Sequence, residues 1–269
     1  MEGKSKLRKN WEWIKALFIR NGKAILEYKK AIFIESFSML LTNFAFVFVW
    51  YFVFQKYGNL NGWGFEELFL LDSFTAFLYG ICTLFSHGMF RISRNVTMGQ
   101  VDQYLTQPKS VLLNLIFSEA EVSAIGDIVE GLVVFILYVV ISGVPITKVP
   151  IFFILIIFGI ILWVGFIIAT QSIVFWLPNS EELSSTLMNI TLGTALYPNK
   201  AFQGFPRIFF TWVLPSALIG TIPADIFINP NLRQILILVG MSMFWITLGI
   251  FLFNKGLKKY ESGNVFGRI

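Results

Sequence analysis

Long apolar runs separated by short charged ones set the pattern of this chain. Five runs can cross a bilayer as helix, which takes about 20 residues. They fall at 31–54, 68–90, within 111–144, at 150–177 and at 232–254. Ahead of them, residues 5–30 read SKLRKNWEWIKALFIRNGKAILEYKK. Trp11, Ile14, Leu17 and Phe18 recur at helical spacing, with Lys15, Arg20 and Lys23 interleaved. That pattern predicts a helix lying in the membrane interface, its tryptophans at headgroup depth and its lysines toward anionic lipid.

Basic residues then predict the topology. Nine Lys and Arg precede the first run, and Arg91, Arg94 and Lys109 follow the second. Lys255, Lys258, Lys259 and Arg268 follow the last. The remaining five, Lys56, Lys148, Lys200, Arg207 and Arg233, fall in the opposite set of loops. Basic loops stay cytoplasmic, so both termini and the 91–110 loop are expected inside, and the number of crossings is even. Residues 183–197 are short and polar, while 209–222 are apolar but interrupted by Pro215 and Gly220. One crossing at 183–197 plus a re-entrant outer segment at 198–230 satisfies the charge rule. Irregular backbone at that depth needs cover from protein or a wet cavity. The expectation is an all-α polytopic membrane protein: a single domain, 1–269, with six transmembrane helices, an N-terminal interfacial helix and an outer re-entrant hairpin.

Composition agrees. Hydrophobic residues make up 56% of the chain and charged residues 14%, against about 25% charged in ordinary soluble domains. The net charge of +5 gathers beside the runs, which favours membrane lipid over nucleic acid as its partner. Cys82 is the single cysteine, so no intrachain disulfide forms. The first apolar run begins near Ala31, too late and too long for a cleaved signal.

Little in the sequence carries enzymatic chemistry. It has no G-x-x-x-x-G-K-[ST] loop for ATP, no H-E-x-x-H and no cysteine cluster. With His87 the only histidine, a His-based metal site is excluded, and neither catalytic nor metal-ligating residues are expected. The acids of the third run are the first candidate for a substrate path. On an ideal helix Glu119, Asp127 and Glu130 fall within roughly 80° of one another, and charges at membrane depth are costly unless they face water or a partner. The alternative is an acidic helix start or internal ion pairing. Asn189, Thr191 and Thr194 of the polar segment are further path candidates, with simple packing as the alternative. Pro198, Pro215 and Pro223 break helices and suit an outer gate.

Residues 98–108 read MGQVDQYLTQP. Val101, Tyr104 and Leu105 form an i, i+3, i+4 apolar face opposite Asp102, Gln103 and Gln107, and Pro108 ends the turn.

Taken together, the chain resembles the six-span permease subunit of ABC-2 type ABC transporters. The resemblance rests on the N-terminal amphipathic segment, G-x-x-D-x-Y-L-x-x-P at 99–108 and Tyr197-Pro198. It rests also on the spaced prolines Pro215 and Pro223 and the tail GLKKYESG at 256–263. It implies that 91–108 is a coupling helix, with Gly99, Val101, Asp102, Tyr104, Leu105 and Pro108 docking into a separately encoded ATPase. Two such ATPase subunits would carry the ATP and Mg, with no cofactor in this chain. A second permease, identical or related, would complete the path, and ATP-driven alternating access would export a small amphipathic, lipid-like or peptide substrate. The location implied is a bacterial cell membrane. Glu119-Ala120-Glu121 imitates an importer E-A-A loop, but Gly126 is one residue too far along. Two other functions compete: an ion-coupled secondary transporter using the third-run acids, and a membrane enzyme acting on lipids. The first usually shows repeated halves, absent here, and the second needs a convergent catalytic set.

Overall fold

The computed structural model describes residues 29–59, 63–107 and 109–261. The segment expected to lie in the interface falls mainly on 1–28, outside the described residues. The described chain is built of helices, with no strand among the described residues. In order these are α1 (Lys29–Tyr57), α2 (Phe65–Ser86), α3 (Ile92–Thr97), α4 (Asp102–Leu105), α5 (Val111–Ile116) and α6 (Ile125–Ile141). Then come α7 (Val149–Gln171), α8 (Glu181–Ala195), α9 (Phe205–Trp212), α10 (Ser216–Ile219), α11 (Thr221–Ile228) and α12 (Leu232–Leu257).

Local chemistry fixes the helix starts. The Glu67 carboxylate accepts the Gly64 N–H at 2.7 Å, and Glu66 and Glu67 place negative charge in the first turn of α2, where the helix dipole favours it. Pro150 sits in the first turn of α7, a position that needs no N–H donor. The Asn231 side chain accepts the Arg233 N–H at 2.9 Å and caps α12.

Four helical segments are long and apolar enough to cross a membrane among the described residues: Phe65–Thr97, Val122–Ile141, Ile146–Phe175 and Leu232–Leu257. Phe205–Trp212 and Ser216–Ile228 are bent by 57° where they meet and could form a fifth only as a broken pair. The first expected span, 31–54, lies within the 29-residue α1.

The spans pack through close backbone approach, as membrane helices do where small residues meet. A Cβ on Gly131 of α6 would stand 2.6 Å from the Phe77 backbone nitrogen, so the α2–α6 seam leaves no room for one. Gly165 of α7 meets the backbone of Trp245 and Ile246 in α12 in the same way. The α7–α12 pair runs in one direction, since Ser242 donates to the Phe158 carbonyl (2.9 Å) and Gly256 abuts Phe175. At the centre, the Phe135 and Phe152 rings stack at 3.9 Å, with Phe74 4.6 Å from Phe152.

Two corrections concern the third run. Helix does not continue through it: α5 stops at Ile116, and the chain is irregular until a 3-10 turn at Val122–Ala124 leads into α6. Glu119 therefore does not share a helical face with Asp127 and Glu130. The ideal-helix angle failed because it assumed an unbroken helix from 119 to 130.

Candidate functional site

Beyond α2 the chain turns through a 3-10 segment (His87–Arg91) into α3, four of whose six residues are buried. The Ser93 N–H donates to the buried Gln171 side chain at 2.9 Å, tying this connector to the end of α7. The next turn depends on Gly99, whose φ is +70°, a left-handed conformation that glycine adopts without steric penalty. The Gln100 N–H then reaches back to the Asn95 carbonyl at 2.9 Å. Val101 is fully buried and anchors the single turn α4.

The apolar face expected here divides. Val101 points into the bundle and Tyr104 packs half-buried against the core, whereas Leu105 is 48% exposed and Met98 54%. Leu105 and Met98 are thus exposed apolar side chains flanking the buried Val101 in sequence. Tyr260, just beyond α12, braces the connector. Its hydroxyl is shielded from solvent and lies near Gly99. Burial first, and the Asp102 carboxylate second, push the Tyr260 phenol up to about 12. Pro108 lies outside the described residues.

The acids separate by role. Glu119 pairs with Arg91 at 2.9 Å, both partly exposed, and holds the irregular segment against the connector. Asp127 and Glu130 are 5% and 1% exposed. The Asp127 side chain lies against Gly80 in the α2–α6 seam. Both acids are thus packed between helices.

The polar helix α8 behaves differently. The Thr191 and Thr194 hydroxyls donate to the Leu187 and Ile190 carbonyls of their own helix, each at 2.7 Å, an arrangement that satisfies them locally. Ser184 donates to the Thr170 carbonyl at 2.9 Å and fixes α8 on α7. The opposite face is open: Glu182, Thr186, Asn189, Gly193 and Tyr197 are all exposed along it.

At the far end of α2, the Trp63 indole donates to Asp225 at 3.1 Å, and Lys200 pairs with the same carboxylate at 3.3 Å. Pro198 and Pro223, two residues from Lys200 and Asp225 respectively, are buried, and the buried Pro215 opens α10 at the bend. Asn199 clamps both legs: its N–H donates to Thr221 (2.9 Å) and its amide to Thr211 (3.0 Å). Neither Asn199 nor Asp225 stands out in the sequence, although Asn-Lys directly after Pro198 was a usable signal. No group of His, Cys, Asp or Glu able to hold a metal occurs among the described residues.

A bundle of apolar spans with a braced connector at one end and a proline-broken pair at the other is compatible with many carriers. One comparison decides between them: the family model described as ABC-2 family transporter protein matches residues 37–264. The chain belongs to the ABC-2 transporter family. No curated protein and no solved structure matches it. The ABC-2 match includes the connector and the polar helix, and runs through the proline-broken pair to the residues following Tyr260. The chain is therefore a membrane permease of an ABC transporter, and an ABC-2 permease works with an ATPase subunit.

Proposed function

We propose that this ABC-2 permease is the membrane half of an exporter for a small amphipathic, lipid-like or peptide substrate. It has no catalytic chemistry of its own. ATP and Mg are bound by two separate ATPase subunits, and a second permease chain, identical or related, completes the path. The observation that carries the reading is that Met98 and Leu105 are exposed apolar side chains on a connector held by Val101, Gln171 and Tyr260. A rigid connector with exposed apolar side chains transmits force from an attached motor, whereas a loose loop would absorb it.

In this reading six helices cross the bilayer and the 205–228 pair is re-entrant. Trp63, Lys200 and Asp225 meet at the start of α2, and Lys148 reaches the Ile228 carbonyl at 3.3 Å. Both legs of the pair thus begin and end beside the same set of loops. Between them Gly220 lies against the Ala195 carbonyl and the Thr75 hydroxyl, ten residues, or about 15 Å, along α2 from its start. The connector and both termini are then cytoplasmic, in agreement with the basic loops. The open face of α8, centred on Asn189, lines the path toward the second permease. Pro198, Pro215 and Pro223 hold the outer gate, and closure of the ATPase subunits rocks the permeases between inward- and outward-facing states.

The test is co-expression with its ABC ATPase. The complex should co-purify and hydrolyse ATP, and Leu105→Asp should abolish co-purification while the permease keeps its thermal midpoint. Undiminished co-purification of that variant would refute the coupling assignment.

A further inference from the structure

Three of the five basic residues outside the predicted cytoplasmic loops converge on one place. Lys200, Arg207 and Arg233 line a single cleft of about 390 Å³ between α9, α11 and the first turns of α12. One acid, Asp225, also lines it and is engaged with Lys200. Neither Arg207 nor Arg233 has an ion-pair partner among the described residues, so the cleft carries unbalanced positive charge. Arg233 adds to this from the first turn of α12, where no acid is present. A cation there opposes the helix dipole. Asn231 and Gln234 supply polar groups beside the guanidiniums, while Trp212 and Ile237 supply an apolar wall. A second, shallower groove shares Arg233 and Ile237 and continues along Leu232 and Leu236, which are 71% and 62% exposed.

A polar basin with two uncompensated guanidiniums, continuous with an apolar groove, has the chemistry of an anionic amphiphile. Guanidinium groups hold phosphate oxygens through paired N–H donors, and the groove offers cover for an acyl chain. We propose that this cleft binds the phosphate-bearing headgroup of an anionic lipid between Arg207 and Arg233, with its chain laid against Leu232 and Leu236. The site is separate from the connector and from the open face of α8, and it does not depend on the ATPase.

Native mass spectrometry of the full-length permease alone in detergent tests it, with phosphatidylglycerol, phosphatidylcholine and inorganic phosphate as probes. Phosphatidylglycerol should bind in preference to the other two. R207Q/R233Q should lower its affinity roughly tenfold or more, the scale of losing one charge-assisted contact. R207K/R233K should retain part of it, and K56Q, at an exposed lysine outside the cleft, should retain all of it. An unchanged thermal midpoint in R207Q/R233Q establishes that the protein is folded; the single variants R207Q and R233Q, each weaker than wild type, serve if the double variant is not. Binding undiminished in R207Q/R233Q would overturn the site. Equal binding of phosphatidylcholine would overturn the charge recognition, and inorganic phosphate binding as tightly as phosphatidylglycerol would overturn the lipid assignment.

Discussion

The Tyr260 hydroxyl faces the Asp102 carboxylate, joining the tail beyond the last helix to the connector that follows the second span. Burial and the carboxylate both favour the neutral phenol. A raised pKa means that this contact is complete below the ordinary tyrosine value of 10 and is lost as pH rises through about 12. The spectral difference between wild type and Tyr260→Phe should therefore titrate near pH 12, and Asp102→Asn should bring it lower. A midpoint at 10 in wild type would contradict the burial of the phenol, and an unchanged midpoint in Asp102→Asn would contradict the contact.

Gly131 marks the tightest part of the α2–α6 seam, with no room for a Cβ beside Phe77. Gly131→Ala should lower stability by about 1–3 kcal/mol, the usual range for overpacking, seen as a reduced thermal midpoint. Gly240→Ala, where a Cβ meets nothing within 4 Å, should cause no loss.

Asp225 receives both the Trp63 indole and the Lys200 ammonium. Asp225→Ala leaves both donors without that acceptor and should loosen the proline-broken pair. Hydrogen exchange should then rise across 198–228 and stay unchanged in α6. Uniform exchange in wild type and variant would deny the clamp.

Asp127 and Glu130 are packed between helices, whereas Asn189 lies on the open face of α8. Replacing the two acids by Asn and Gln should leave the transported substrates unchanged. Asn189→Leu should alter them, as measured by uptake into inverted vesicles. The reverse result would return the acids to the path.

The apolar runs were legible because each long helix buries itself in lipid or protein along its whole length, so length and hydropathy suffice. The 183–197 segment was legible as a helix, Glu181–Ala195, while its crossing of the bilayer remains part of the proposal. The third run was misread because nothing in FSEAE marks where helix stops, and the Arg91–Glu119 pair that holds this stretch is a tertiary contact. The connector was found by its pattern, yet its two halves face opposite ways. Val101 is buried by packing and Leu105 is left out, and a single helical turn is too short for periodicity to tell them apart. The Asp102–Tyr260 contact joins residues 158 positions apart, a separation that no local pattern reaches.

Site-directed cross-linking at Leu105 tests the central claim most directly. With Leu105→Cys in the assembled transporter, a short bifunctional reagent should join the permease to its ATPase, and ATP should change the yield. Ile146→Cys, 81% exposed at the opposite end of the bundle, should give no such product. Cross-linking from position 146 and none from 105 would contradict the account.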